Sequence, residues 1–380
     1  MKKMGLYVHI PFCVKKCDYC DFLSFDHTEF FLRDAYVDAL VAEILAMKSQ
    51  NISKKLSTIY IGGGTPSILS AEQFSRIMKA VYGVFEWSED GEFTIEVNPG
   101  MVDALKVKAY LDAGVNRVSM GLQSDEAKIL KTLGRIHDYQ VFLESYEMIR
   151  AMGIDNISID LMFGLPGQTF NSFKATLEKI IELEPEHLSL YGLIIEPGTV
   201  FESQNEKGLL DLPSEDEERQ MYWWAHDTLL DWGYEHYEIS SYGKVGRTGR
   251  HNRSYWTLDP YLGVGLGAAS YLNHNRYKNI EDLNSYIEKS HQIKDIRELE
   301  QTGNTINRLE EWFFLGLRQL KGLNLIELKH EFGESQLIPY QGIIKQLIKE
   351  EMLVEEDGWV RFTRRGLDLS NYVLAQFINF

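Results

Sequence analysis

The chain is poor in cysteine: it has three in 380 residues, and all of them fall between positions 13 and 20. An odd number at such short spacing excludes a disulfide framework and reads as a metal or catalytic site in a reducing compartment. Long hydrophobic runs are missing too, and no stretch approaches the roughly 18–20 apolar residues of a membrane span. The N-terminus, Met1-Lys2-Lys3-Met4-Gly5 followed by Leu6-Tyr7-Val8-His9-Ile10-Pro11, is too short and too polar for a signal-peptide core. A cytoplasmic protein is expected. Positive charge is scarce, with 39 Lys and Arg against 56 Asp and Glu and a net charge of −17. Without a basic stripe interleaved with aromatics, such a chain is repelled by phosphate backbones, so nucleic acid is not expected as a partner.

At 44% hydrophobic residues the chain has enough apolar material for one large α/β barrel and a small second domain. Short β-branched runs alternate with longer amphipathic stretches through the first half. The pattern predicts strands at Gly5–Ile10, Thr58–Gly62, Phe93–Asn98, Arg117–Leu122, Ile157–Gly164 and His187–Leu193. Helices are predicted at Phe30–Met47, Ala71–Phe85, Asp103–Ala113, Tyr139–Met152 and Phe170–Ile181. Such strand–helix repeats imply a parallel sheet with right-handed crossovers. Six repeats rather than eight imply a partial (β/α)6 barrel open on one side, with its site at the C-terminal ends of the strands. Residues 1–235 are read as this barrel and 236–300 as a connecting region, loop-rich over Tyr242–Tyr261. In 301–380, three helices and an Asp357-Gly358 hairpin signal make a winged-helix-like C-terminal domain.

Cys13, Cys17 and Cys20 form a C-x3-C-x2-C loop directly after the first strand. Three thiolates on a [4Fe–4S] cluster, which usually has four ligands, leave one iron open. The alternative is a structural zinc held by the three cysteines and a histidine such as His9, although no second cysteine pair is present. Gly62-Gly63-Gly64-Thr65 follows the second strand, where consecutive glycines let the backbone approach a ligand closely. Glu96 lies at the end of the third strand, where a carboxylate can accept both hydroxyls of a ribose.

Tyr7-Val8-His9-Ile10-Pro11-Phe12-Cys13 and the cysteine spacing after it resemble the HemN/HemW branch of the radical S-adenosylmethionine (SAM) superfamily, and the resemblance runs through most of the chain. It implies a [4Fe–4S] cluster on Cys13, Cys17 and Cys20, and SAM beside it. Tyr7 and Tyr19 would then contact SAM, Gly63, Gly64 and Thr65 its methionine part, and Glu96 its ribose. The branch also implies SAM contacts for Gln123, Arg135 and Asp160, with Gly192 a weaker match. For Arg135 and Asp160 the alternative is a structural ion pair across the barrel mouth.

Two features separate the chain from the coproporphyrinogen III dehydrogenases of this branch. Phe22 stands where a further cysteine is expected, and the first strand begins at residue 5 without the long segment those enzymes carry before it. Both match the relatives that bind heme and act as heme chaperones, as does His251-Asn252-Arg253-Ser254-Tyr255-Trp256. A neutral imidazole is an ordinary axial ligand of heme iron, which makes His251 the candidate, with Arg247, Arg250 and Arg253 for the propionates. The resemblance implies heme as partner, with apo-hemoproteins or heme donors, membrane contact mediated only by protein, and room for a homodimer. No catalytic residue is assigned on this reading. Anaerobic oxidation of coproporphyrinogen III is the alternative.

Overall fold

A computed structural model describes residues 4–378. Strands β1 (Met4–Ile10), β2 (Lys55–Gly63), β3 (Glu86–Val97), β4 (Arg117–Gln123), β5 (Ile157–Phe163) and β6 (His187–Gly192) run parallel in sequence order. Between and after them lie α1 (Phe30–Ala46), α2 (Ala71–Val84), α3 (Ala104–Asp112), α4 (Ala127–Thr132), α5 (Tyr139–Ala151), α6 (Phe170–Ile181), α7 (Val200–Glu206) and α8 (Glu215–Asp231). Caps set the helix starts: Ser70 and Gln73 form a capping box on α2, and Asp138 accepts from the Val141 amide at α5.

Two-residue alternation sorts each strand. Leu6, Val8, Ile59, Ile61, Phe93, Ile95, Val118, Met120, Ile157, Ile159 and Leu188 enter the apolar core beneath the helices. The opposite face carries Tyr7, Thr58, Tyr60, Thr94, Glu96, Ser119, Ser158, Asp160 and Ser189. A closed (β/α)8 barrel fills its interior with bulky branched side chains. A lumen of hydroxyls and carboxylates is instead built for polar contents.

The predicted strands are present, most within a few residues of their expected ends; β3 begins earlier. The segment expected to be a loop-rich connection is different. Here β7 (Glu235–Glu238), β8 (Ser241–Gly243), β9 (Tyr261–Val264), β10 (Ala269–Leu272), β11 (Asn275–Asn279) and β12 (Arg297–Gln301) all join the main sheet. Strands β8 and β7 extend it beyond β6, and β9 to β12 beyond β1. Helix α9 (Arg250–Trp256) closes the N-terminal end of the barrel, where Glu92 accepts from the Arg250 and His251 amides. Helix α10 (Leu283–Lys289) packs beside α1, and α11 (Ile293–Ile296) beside α10 and β12.

The C-terminal domain has its own apolar core, in which Phe313 stacks on Phe377 with ring centroids 4.6 Å apart. It comprises α12 (Thr305–Gly316), β13 (Leu323–Asn324), α13 (Leu325–Phe332), α14 (Glu334–Lys349), β14 (Leu353–Glu356), β15 (Trp359–Phe362), α15 (Arg364–Asp368) and α16 (Ser370–Ala375). The β14–β15 hairpin turns on Asp357 and Gly358, both at positive φ. Among the described residues no helix is long and apolar enough to cross a membrane.

Candidate functional site

The cysteine loop leaves the end of β1 and is clasped at its base. The Cys13 amide donates to the Phe25 carbonyl at 2.9 Å, and the Phe25 amide to the Pro11 carbonyl at 2.8 Å. The loop is also anchored to its surroundings, because Asp18 donates to the Leu133 carbonyl and accepts from the Phe201 amide. His9 reaches the Leu23 carbonyl with Nε2 at 3.0 Å and the Tyr7 hydroxyl with Nδ1 at 2.9 Å. Burial pushes the Cys13 thiol up and the Cys20 thiol up to about 11, so a group that displaces their protons must supply positive charge.

Two of the thiols, those of Cys13 and Cys17, are linked by a hydrogen-bonded circuit through residues that follow β2, β3 and α4. Thr65 Oγ1 donates to Cys13 Sγ at 3.4 Å, and Asn98 Nδ2 donates to Thr65 Oγ1 at 2.9 Å. Arg135 donates to Asn98 Oδ1 at 3.0 Å and, with Nη1, to Cys17 Sγ at 3.7 Å. A guanidinium and a hydroxyl aimed at sulfur stabilise thiolate charge. Among the described residues no three His, Cys, Asp or Glu side chains converge as a single-ion site requires.

The glycines beside this circuit are sterically required. Gly63 has φ +116, and a Cβ there would lie 2.6 Å from the His9 ring; at Gly64 it would lie 2.8 Å from the Phe12 carbonyl oxygen. Glu96 stands next to them, accepting from the Tyr60 hydroxyl at 2.7 Å and from the Gly63 amide at 3.1 Å. Each carboxylate oxygen keeps a further lone pair for an incoming donor. Burial raises the Glu96 carboxyl to about 7.

Gln123 ends β4 at φ +71, where a register shift against β5 turns its side chain over Gly121. Asp160 lies deeper in the lumen and accepts from Ser119 Oγ at 3.2 Å. No ion pair joins Asp160 to Arg135 among the described residues, in place of the alternative expected: Arg135 donates through Nη1 and Nη2 to Cys17, Asn98 and the Gly121 carbonyl. Tyr19 packs against Phe201 with ring centroids 6.4 Å apart, and Gly192 closes β6 opposite Phe163.

His251 is the exception. It lies at the other end of the barrel, in the first turn of α9 rather than in a loop, and is 0% exposed. Its Nδ1 pairs with Thr58 Oγ1 at 2.8 Å and its Nε2 with the Tyr255 hydroxyl at 2.9 Å. Both ring nitrogens are therefore occupied, and the imidazole presents no free lone pair to an iron. Of the three arginines read with it, Arg250 is tied through its guanidinium to the Asp90 carbonyl. Sequence reasoning passed over Asn98 and Tyr60. Both carry polar groups at the strand parity that faces the lumen, a signal visible only once register is known.

The profile of the radical SAM superfamily matches residues 7–180, and that of the HemN C-terminal domain matches residues 304–369. A protein named heme chaperone HemW from Lactococcus lactis is 38% identical over 377 residues, covering 99% of this chain and 98% of its own. The HemW of Bacillus subtilis is 36% identical, covering 98% of each. The chain belongs to the HemW family. In solved structures, coproporphyrinogen III oxidase (HemN) of Escherichia coli, described as a radical SAM enzyme, superposes with a TM-score of 0.85. That match covers 99% of this chain and 90% of HemN at 23% identity, so it speaks for the fold. This HemW-family barrel thus gathers Cys13, Cys17, Thr65, Asn98 and Arg135 at one end and seals the other with α9.

Proposed function

We propose that this protein is a heme chaperone, which carries heme as cargo on a scaffold that holds a [4Fe–4S] cluster and SAM. The observation that carries the reading is likeness to proteins named heme chaperone HemW over 99% of the chain. Support for the cluster comes from the donor set, since three thiols share one loop with Thr65 and Arg135 directed at two of their sulfurs. When bound, a cluster with three protein ligands has an iron free to chelate the amino and carboxylate groups of SAM and can pass it an electron.

The chain's own residues would do the rest. Gly63, Gly64 and Thr65 would seat the methionine portion, while Tyr60 and the Gly63 amide hold the Glu96 carboxylate ready for the ribose hydroxyls. Tyr7, Tyr19, Gln123, Arg135, Asp160 and Gly192 would line the remainder.

A pH dependence follows from Glu96. Ribose hydroxyls donate to the ionised carboxylate, and burial places its ionisation at about 7. SAM affinity therefore rises with pH, roughly tenfold between pH 6 and pH 8, because ionisation goes from a minority to near completion. Isothermal titration checks this; affinity that is flat or falls across that range contradicts the role given to Glu96.

The chaperone reading is tested by mixing hemin-loaded protein with an apo-hemoprotein and, in parallel, by incubating reduced protein with SAM and coproporphyrinogen III. Transfer of heme without protoporphyrinogen formation is expected. Protoporphyrinogen formation at catalytic rates would make the protein a dehydrogenase instead.

A further inference from the structure

Asn98 follows β3 and lies between the two side chains that reach sulfur. Its backbone is held first. The amide donates to the buried Ser67 Oγ at 3.1 Å, and Pro99 disfavours a helical turn at this position. The side-chain amide is then oriented by its neighbours. Arg135 carries only donors, so the atom facing it must be Oδ1, which accepts from Nη2 at 3.0 Å. Nδ2 is thereby turned to Thr65 Oγ1, to which it donates at 2.9 Å.

That orientation decides where the threonine proton goes. A hydroxyl has a single proton, and with its oxygen accepting from Asn98 the proton is left for Cys13 Sγ, 3.4 Å away. The carboxamide also takes up Nη2 of the guanidinium, together with the Gly121 carbonyl, which leaves Nη1 for Cys17 Sγ at 3.7 Å. One neutral side chain therefore aims a hydroxyl and a cation at two sulfurs.

We propose that Asn98 is a positioning residue that raises the reduction potential of the cluster by directing donors at Cys13 and Cys17. The proposal rests on the reading that the three thiolates hold a [4Fe–4S] cluster. One-electron reduction adds negative charge to the cluster and its thiolates. Hydrogen bonds to the sulfurs stabilise the more negative state more, so reduction becomes easier. The electron comes from an outside reductant, dithionite in the test below, and no bond to the protein forms or breaks. A side chain of the same shape with acceptors only would reverse the device, because it would draw the Thr65 hydroxyl and Arg135 to itself and away from sulfur.

The test is a dithionite titration of the anaerobically reconstituted full chain without SAM, with the reduced cluster followed by electron paramagnetic resonance against solution potential. Thr65→Val keeps the shape and removes the hydroxyl. It is expected to lower the reduced-to-oxidised ratio at fixed potential about tenfold, a shift of about 59 mV for one electron. Thr65→Ser keeps the hydroxyl and is expected to match the unaltered protein. Asn98→Asp, of the same shape, is expected to lower the midpoint by more than Thr65→Val, since both donors turn to its carboxylate. In the double variant Asn98→Asp, Thr65→Val the shift is expected to fall short of the sum, because the hydroxyl that Asn98 directs is already gone. A fully additive double variant, or an unchanged midpoint in Thr65→Val, would overturn the inference while the cluster reading stands. If Asn98→Asp does not take up cluster, Asn98→Leu, neutral and without polar groups, is read in its place. It is expected to lower the midpoint, and an unchanged value there overturns the inference as well. Unaltered protein that takes up no iron and no sulfide overturns the cluster reading itself, and this inference with it.

Discussion

Replacing Arg297 with methionine is expected to lower stability by about 3–5 kcal/mol, the cost of leaving a buried charge without its partner. Glu43 on α1 is 0% exposed, and its carboxylate is the hub of a clamp. It accepts from the Gly265 amide at 2.8 Å, Asn279 Nδ2 at 2.8 Å, the Tyr286 hydroxyl at 2.6 Å and Arg297 Nη2 at 3.2 Å. Burial pushes the Glu43 carboxyl up and the Arg297 guanidinium down, so each ion opposes its own burial and depends on the other. Arg297 also donates to the Gly263 carbonyl at 2.8 Å, so the clamp pins β9 and β12 to the first helix of the barrel. Urea unfolding of Arg297→Met measures the loss. The double variant Glu43→Leu, Arg297→Met removes both charges and is expected to be more stable than Arg297→Met alone. If the single variant unfolds at the same urea concentration as the unaltered protein, the clamp contributes nothing.

The second large effect is at the cysteine loop. Cys17→Ala is expected to reduce bound cluster from about one per chain to near zero, because two thiolates cannot retain a cube that normally takes four. Arg135 Nη1 loses its sulfur acceptor in the same change. The loop itself is expected to survive, since its clasp at Cys13, Phe25 and Pro11 and its anchors at Leu133 and Phe201 are made by backbone groups. Circular dichroism like that of the unaltered protein, with iron and acid-labile sulfide absent, is the predicted outcome. Retention of both at unaltered levels would remove Cys17 from the ligand set.

The six parallel strands were legible because each buries one apolar face under helices, which leaves a two-residue signature in the sequence. The hairpin was legible because Asp357 and Gly358 supply the positive φ that its turn requires. Strands β7 to β12 were not. Asn275–Asn279 has no apolar alternation and Ser241–Gly243 is only three residues long, so neighbouring strands rather than local preference make them strands.

Helix α9 was missed for a related reason. Arg250–Trp256 is polar and short, and it forms because Glu92, more than 150 residues away in sequence, receives its first amides. The same distance hid the burial of His251. Glu43 read as an ordinary helical glutamate because its partners Gly265 and Arg297 lie 222 and 254 residues further along the chain. Within the candidate site, Cys13, Cys17 and Cys20 were legible from spacing and the glycine run and Glu96 from their position after strands, while Thr65 was read from the family resemblance. Asn98 and Tyr60 were not legible, because only register shows that they complete the circuit and hold the carboxylate.

The central claim is that three thiols in one loop hold an iron–sulfur cluster, and elemental analysis of anaerobically prepared protein tests it most directly. The expected result is about four irons and about four acid-labile sulfides per chain. Zinc at one per chain with no sulfide would contradict it.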